Sequence, residues 1–370
     1  MPLSASRTLP AISLASGYGS FAVPDAVVAR VQQQLTTLPL PVSPTEGLPE
    51  LRAALATRYH TQGATDVTAA NIVVTPGTKA ALFLLLSAVL QPGDEVLVPT
   101  PNWFGFAELI ERAGGTLRTL PLAAADGYAL QPKALEAALT PRTRLLIITN
   151  PNNPTGRVYN RPELAALLAV TEQHPRLLVL SDEIYSGIRF GPEPVPTLLS
   201  FPDPHGQHLV VNGFSKSLAL IGWNVGYLVA PPAVARACTA QQFATGGAVA
   251  VPSQTAALAA TEATGSITEH LCSDLLPTRS LLLEFLAMLP GALLHPPNGT
   301  YYAFPDLSAF LDPALPPPQA ATALVARLLA AGVDVVDGAT CGAPGFVRLS
   351  YAVPAAYLRE ALRHLEQLLR

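Results

Sequence analysis

From about residue 46 to residue 230 the chain alternates short, continuously apolar runs with longer stretches of helical character. Four runs stand out, at 72–74, 145–148, 177–180 and 209–211. A run with no polar face predicts a strand covered on both sides, and strands separated by helices predict a mainly parallel sheet. A long helical region follows at 232–287. Beyond it the pattern changes: a helix over 318–331 stopped by Gly332, strand-like residues at 333–336 and 346–350, then Leu358, Leu362, Leu365 and Leu369 at spacings of four, three and four. That last stripe is one apolar helix face, suited to packing on a small sheet. The reading is an α/β protein: a large domain, residues 46–275, with a mainly parallel mixed sheet covered by helices on both faces. A smaller α+β domain is formed by the N- and C-terminal segments, residues 1–45 and 276–370.

Composition narrows the function. The 370 residues are 49% hydrophobic and 13% charged, with a formal net charge of −4, which excludes disorder as the dominant state. No block of Lys or Arg offers the clustered positive charge that holds nucleic acid or an anionic membrane. The longest apolar run, 80–90, is about half of the roughly 20 residues that cross a bilayer, so it reads as a buried helix. Arg7 is the one charge before Pro10 and no apolar stretch accompanies it, so a secretory signal is not expected and the cytoplasm is. Cys238, Cys272 and Cys341 form no paired framework, and the seven histidines show no ligand spacing, so no metal site is expected.

Ligands of open α/β sheets sit outside the carboxyl ends of the strands, so the residues following each apolar run are the candidates. After the first comes Thr75-Pro76-Gly77-Thr78-Lys79, a glycine turn opening a helix whose free N–H groups suit a phosphate. After the second comes Asn150-Pro151-Asn152-Asn153-Pro154-Thr155-Gly156; the third ends in Ser181-Asp182-Glu183-Ile184-Tyr185, the fourth in Asn212-Gly213-Phe214-Ser215-Lys216. Taken singly these are a turn, a turn cluster, a helix cap and a surface lysine. Together at four strand ends they form a constellation.

That set, with Gly222-Trp223, Gly226-Tyr227 and Phe346-Val347-Arg348-Leu349-Ser350, resembles the class I/II aminotransferases, enzymes of fold type I that use pyridoxal 5′-phosphate (PLP). The similarity runs from about Ile12 to the C-terminus. It implies an aminotransferase that moves an amino group from an L-amino acid to a 2-oxo acid through a Lys216 Schiff base, and a homodimer. Lys216 would also shuttle the substrate Cα proton, Asp182 would face the cofactor's ring nitrogen, and Tyr185 and Asn153 would hydrogen-bond the ring 3′ oxygen. Trp103 would stack on the ring. Gly77, Thr78, Lys79, Ser215 and Asn224 fall around the phosphate. Arg348 would grip the substrate α-carboxylate, near Asn153 and Gly17, with Tyr18 lining the site.

Three positions depart from the family at the phosphate. Asn224, eight residues after Lys216, stands where most relatives carry an arginine; Val42, five before Gly47, replaces a tyrosine that reaches the neighbouring subunit's phosphate; Gly213 replaces a serine found in some members. A PLP-dependent C–S lyase is the alternative chemistry, although that group commonly has His in place of Tyr185. A degenerate or regulatory PLP-fold binding protein is the alternative class. A DNA-binding regulator would carry its own domain before the match, where about eleven residues stand. Arg348 selects an α-carboxylate, and no second arginine for a dicarboxylate is apparent; low charge near the pocket hints at neutral substrates.

Overall fold

Apolar alternation along the strands divides their side chains between two faces, and each face meets its own set of helices. The computed structural model describes residues 11–36 and 39–369; Arg7 and Pro10, on which the expectation about a leader rests, lie outside them. Among the described residues the strands, in chain order, are β1 (Ile12–Ser13), β2 (Ile72–Thr75), β3 (Glu95–Thr100), β4 (Thr116–Pro121), β5 (Thr143–Thr149) and β6 (Leu178–Asp182). They continue with β7 (His208–Gly213), β8 (Gly226–Val229), β9 (Tyr302–Ala303), β10 (Val333–Asp334), β11 (Val336–Asp337) and β12 (Val347–Ser350).

Seven strands form the large sheet in the order β2-β8-β7-β6-β5-β3-β4. All neighbours are parallel except β8, which runs antiparallel to both β2 and β7. The four informative strands therefore all point the same way, but they are not all neighbours: β8 separates β2 from β7. Its register brings Thr75, Gly226 and Gly213 side by side at the shared edge. On one face Val74, Leu146, Ile148, Val179 and Val210 pack with the helices Asp25–Leu35, Pro49–Thr61, Arg161–Thr171 and Val251–Glu262. On the other, Val73, Leu145, Ile147, Leu180 and Val211 pack with Thr78–Val89, Gly105–Arg112 and Pro232–Thr245. Residues i and i+1 of a strand point to opposite faces, which is why continuous apolar runs were needed here.

A third core joins Leu14 of the N-terminal segment to residues of β9, β10 and β12 and to Leu358, Leu362, Leu365 and Leu369 of the final helical stretch. The stretch 333–336 is not one strand. It breaks at buried Val335, so that β10 pairs in parallel with β1 while β11 pairs antiparallel with β12, which also pairs with β9. The helical region at 232–287 is three helices, interrupted at Gly246-Gly247 and at Ala263. The third, Thr264–Ala287, is continuous across residues 275 and 276, where the sequence division was drawn. Among the described residues no helix is long and apolar enough to cross a membrane.

Candidate active site

The carboxyl edge of the large sheet is where the chain leaves regular structure and its polar residues turn inward. After β2, Gly77 adopts φ +84° and caps the helix Thr78–Val89, aiming that helix's unpartnered first N–H groups at the edge. The end of β7 and the start of β8 give way to it. A Cβ on Gly226 would lie 2.6 Å from the Thr78 backbone nitrogen, and one on Gly213 would lie 2.5 Å from Thr78 Oγ1. Gly213 is therefore coupled to the threonine at 78.

The loop after β5 folds on its own side chains. Asn150 Oδ1 accepts from the Tyr159 N–H at 2.9 Å, and Asn152 Oδ1 accepts from Thr155 N and Oγ1 at 3.2 and 2.8 Å. Gly156, at φ +70°, lies so close to Pro297 that a Cβ would come within 2.3 Å of it. Asn153 is left to face the site. Trp103 is set by a similar chain of bonds: Asn102 Oδ1 accepts from the Trp103 N–H at 2.8 Å and from Thr149 Oγ1 at 2.9 Å.

Lys216 follows Phe214, which is fully buried in the core, and precedes Ser217, whose Oγ donates to the Ile184 carbonyl at 2.9 Å and accepts from the Gly187 N–H at 3.0 Å. These bonds bind the lysine's loop to the loop after β6, which carries Asp182. The Lys216 ammonium donates to the Gly17 carbonyl and lies 3.7 Å from the centroid of the Tyr18 ring. Burial, then the positive charges of Arg348 and Lys79, bring its pKa down to about 7 against the opposing pull of Asp182. Asp182 is 6% exposed, and its Oδ1 accepts one backbone bond, from the Ile184 N–H at 3.2 Å. Burial raises its pKa to about 6, against that bond and the Lys216 charge. An amine near neutrality thus faces an acid that has been stripped of water.

Arg348 reaches in from β12. Its Nη1 donates to Asn153 Oδ1 at 3.1 Å and its Nη2 to the Ala15 carbonyl at 2.7 Å, while the buried Nε has no partner. The guanidinium lies 4.3 Å over the Tyr302 ring. Tyr302 and Tyr185 share a hydroxyl bond of 2.8 Å, and the Tyr301 and Tyr302 hydroxyls donate to the Gly17 carbonyl at 2.9 and 3.2 Å. Burial holds the Tyr185 hydroxyl well above the usual tyrosine range.

Gly17, Tyr18, Gly77, Thr78, Lys79, Trp103, Asn153, Asp182, Tyr185, Ser215, Lys216, Asn224 and Arg348 all line one cavity of about 620 Å³. Val42 is 96% exposed and does not line it. Sequence reasoning missed Tyr302, Ala15, Thr149 and Val336, which also line the cavity, and Tyr301, which supports Gly17. Adjacent tyrosines at the start of a short strand resemble core aromatics, and no polar motif surrounds them. Among the described residues no cluster of His, Cys, Asp and Glu could hold a metal.

A model of the family "aminotransferase class I and II" matches residues 10–365. The chain is 35% identical over 361 residues to an aspartate/prephenate aminotransferase of Thermus thermophilus, covering 97% of this chain and 91% of that one. A bifunctional aspartate and glutamate/aspartate-prephenate aminotransferase of Petunia hybrida is 32% identical over 368 residues, with 98% and 77% covered. The solved aspartate aminotransferase of Thermus thermophilus with maleate superposes with a TM-score of 0.89 at 34% identity, over 98% of this chain and 92% of that one. That of Rhizobium meliloti gives 0.91 at 28% identity, over 97% and 91%. With the motifs in family order at one sheet edge, and relatives of this identity along almost its whole length, the chain belongs to the class I and II aminotransferases, of PLP fold type I.

Proposed function

We propose that the cavity takes pyridoxal 5′-phosphate and that the protein uses it to move an amino group from an L-amino acid to a 2-oxo acid. The observation that carries this reading is the pairing of Lys216, with its pKa lowered to about 7, and buried Asp182 in one cavity. The residues present suit a flat aromatic phosphate ester with an aldehyde. Lys216 Nζ would hold the aldehyde, Asp182 the ring nitrogen, the Trp103 indole one ring face, and the N–H groups of Thr78 and Lys79 with the Ser215 hydroxyl the phosphate. When bound, that cofactor supplies an electron sink for the carbanion left when the substrate loses its Cα proton.

The chain's own residues do the rest. Asp182, ionised beside a cationic ring, would keep the nitrogen protonated, the opposite charge offsetting the desolvation that raises its pKa in the cofactor-free chain. Tyr185 and Asn153 provide an O–H and an N–H for the ring oxygen. Arg348 presents a planar fork to the substrate carboxylate, its plane fixed by Asn153, the Ala15 carbonyl and the Tyr302 ring. Lys216 Nζ, when not bonded to the cofactor, would be the base that takes the substrate Cα proton, holds it as an ammonium and then gives it up again as an acid. The cavity's cations are Lys79, Lys216 and Arg348, so Lys79 is the one left over for a second carboxylate. Aspartate, named in the relatives' activities, is accordingly the first donor to try. The family likeness extends the reading to a homodimer in the cytoplasm.

The test is a half-reaction. Loaded protein is mixed with aspartate, glutamate and neutral or aromatic amino acids without any oxo acid, and the cofactor spectrum is followed. Conversion to the amine form is expected with at least one donor. Lys216→Ala should show none, and Arg348→Ala should lose about a hundredfold or more in kcat/KM, the order of a charged hydrogen-bonded fork. Release of pyruvate and ammonia from cysteine, with no donor giving the amine form, would overturn the transferase reading in favour of a lyase.

A further inference from the structure

The cavity's charged groups are unevenly placed. Arg348 is held on the small-domain side by Ala15 and Tyr302; Lys216 lies beside Tyr18; and the Lys79 ammonium, though its residue opens the phosphate-facing helix, turns to the Trp103 ring, 5.6 Å from the centroid. What surrounds the helix start is neutral. Ser215 and Asn224 line the cavity, and the Asn224 carboxamide lies against Gly77: a Cβ there would meet its Oδ1 at 2.7 Å. Asn224 itself sits at φ +49°, in the left-handed region that asparagine tolerates better than most residues. Backbone and side chain thus wedge a neutral amide into the place from which a cation would face a phosphate.

We propose that Asn224 makes the phosphate cup a set of neutral donors, so that the cofactor's stay depends on its bond to Lys216. This rests on the cofactor reading above. While Lys216 holds the aldehyde, weak phosphate contacts matter little, because dissociation needs a covalent bond to break. After the amino group has passed to the cofactor, that bond is gone and ring and phosphate contacts alone retain it. The amine form then escapes between half-reactions unless an oxo acid arrives first. Asn224 is a positioning residue in this sense: it acts on cofactor residence, and chemistry at Cα does not require it.

The experiment reads cofactor content. Purified loaded protein is divided; one portion is converted to the amine form with excess donor, and both are dialysed against cofactor-free, phosphate-free buffer while retained cofactor is measured after denaturation. Asn224→Arg and Asn224→Lys are treated in parallel, the second because lysine reaches the cup by a different path. The wild type should lose the amine form about tenfold to a hundredfold faster than at least one of these variants, with a much smaller difference for the aldehyde form. Equal loss of the amine form from wild type and both variants would overturn the proposal. Borohydride reduction of the starting material separates the two levels: failure to fix cofactor on Lys216 would overturn the cofactor reading itself, whereas fixation followed by equal loss defeats only the role of Asn224.

Discussion

Asp182 puts function and stability in opposition, and the size of the conflict follows from its surroundings. Without a cofactor its carboxyl is buried at the sheet edge with one backbone donor, and its pKa stands at about 6 against an ordinary 3.8. A rise of about two units corresponds to ~3 kcal/mol, already net of the attraction of Lys216. Because the folded pKa is the higher one, the folded state binds the proton more tightly than the unfolded chain between pH 4 and 6. The contribution of this group to stability is therefore full below about pH 4 and is lost as pH rises through 6. Asp182→Asn removes the ionisation and leaves Oδ1 to accept the Ile184 N–H. The cofactor-free variant should be more stable than wild type by ~3 kcal/mol at pH 8, with the gain fading toward pH 4. Urea unfolding of the cofactor-free proteins across that range measures it. The same variant, loaded, should transfer amino groups about a hundredfold more slowly or worse, since a neutral amide no longer holds the ring nitrogen protonated. A variant less stable than wild type at pH 8, or a gain that does not change with pH, would refute the reasoning.

Two further predictions concern loading and the fit of the cup. Lys216 must be neutral to attack an aldehyde, and its pKa is lowered to about 7, so the rate of cofactor loading should rise with pH up to about 7 and level off above it; a stopped-flow rate still climbing toward pH 10 would mean an unperturbed lysine. Gly213→Ser places a Cβ 2.5 Å from Thr78 Oγ1 and should lower both stability and cofactor retention, by an amount in the range of about 1–3 kcal/mol for overpacking. Thr78→Ala in the same chain should restore part of it, the remainder reflecting Ile184 Cδ1 at 2.9 Å, as read by urea midpoint and bound cofactor.

The strands that carry chemistry were legible because each is buried on both faces and so is spelled in unbroken aliphatic residues. β3, β4 and β8 were harder to see. β3 is wholly buried yet contains Glu95 and Pro99, and β4 is an edge strand, partly exposed along its length. β8 lies directly before a helix and reverses direction, which no local pattern announces. The break at Val335 was hidden for a related reason: both halves of 333–336 are strand, and only their partners differ. Residues lining the cavity were legible where a motif marked them, as with Asn153 in Asn150 to Gly156 or with Ser215-Lys216. Tyr301 and Tyr302 were not, because their importance lies in a carbonyl nearly three hundred positions away in the chain.

The Gly17 carbonyl is the meeting point of three donors, the Lys216 amine and the hydroxyls of Tyr301 and Tyr302. Its segment is stitched to the C-terminal part of the chain through β1 on β10 and through Leu14, whose carbonyl takes the Ser350 N–H at 2.8 Å. An aldehyde held on the Lys216 nitrogen would leave that nitrogen at most one N–H in place of the ammonium's three, and so would weaken its hold on this acceptor. Loading would therefore loosen the contact by which the reactive side chain grips the amino-terminal strap, while the tyrosine hydroxyls, the β1–β10 pairing and the Leu14 carbonyl keep that strap moored.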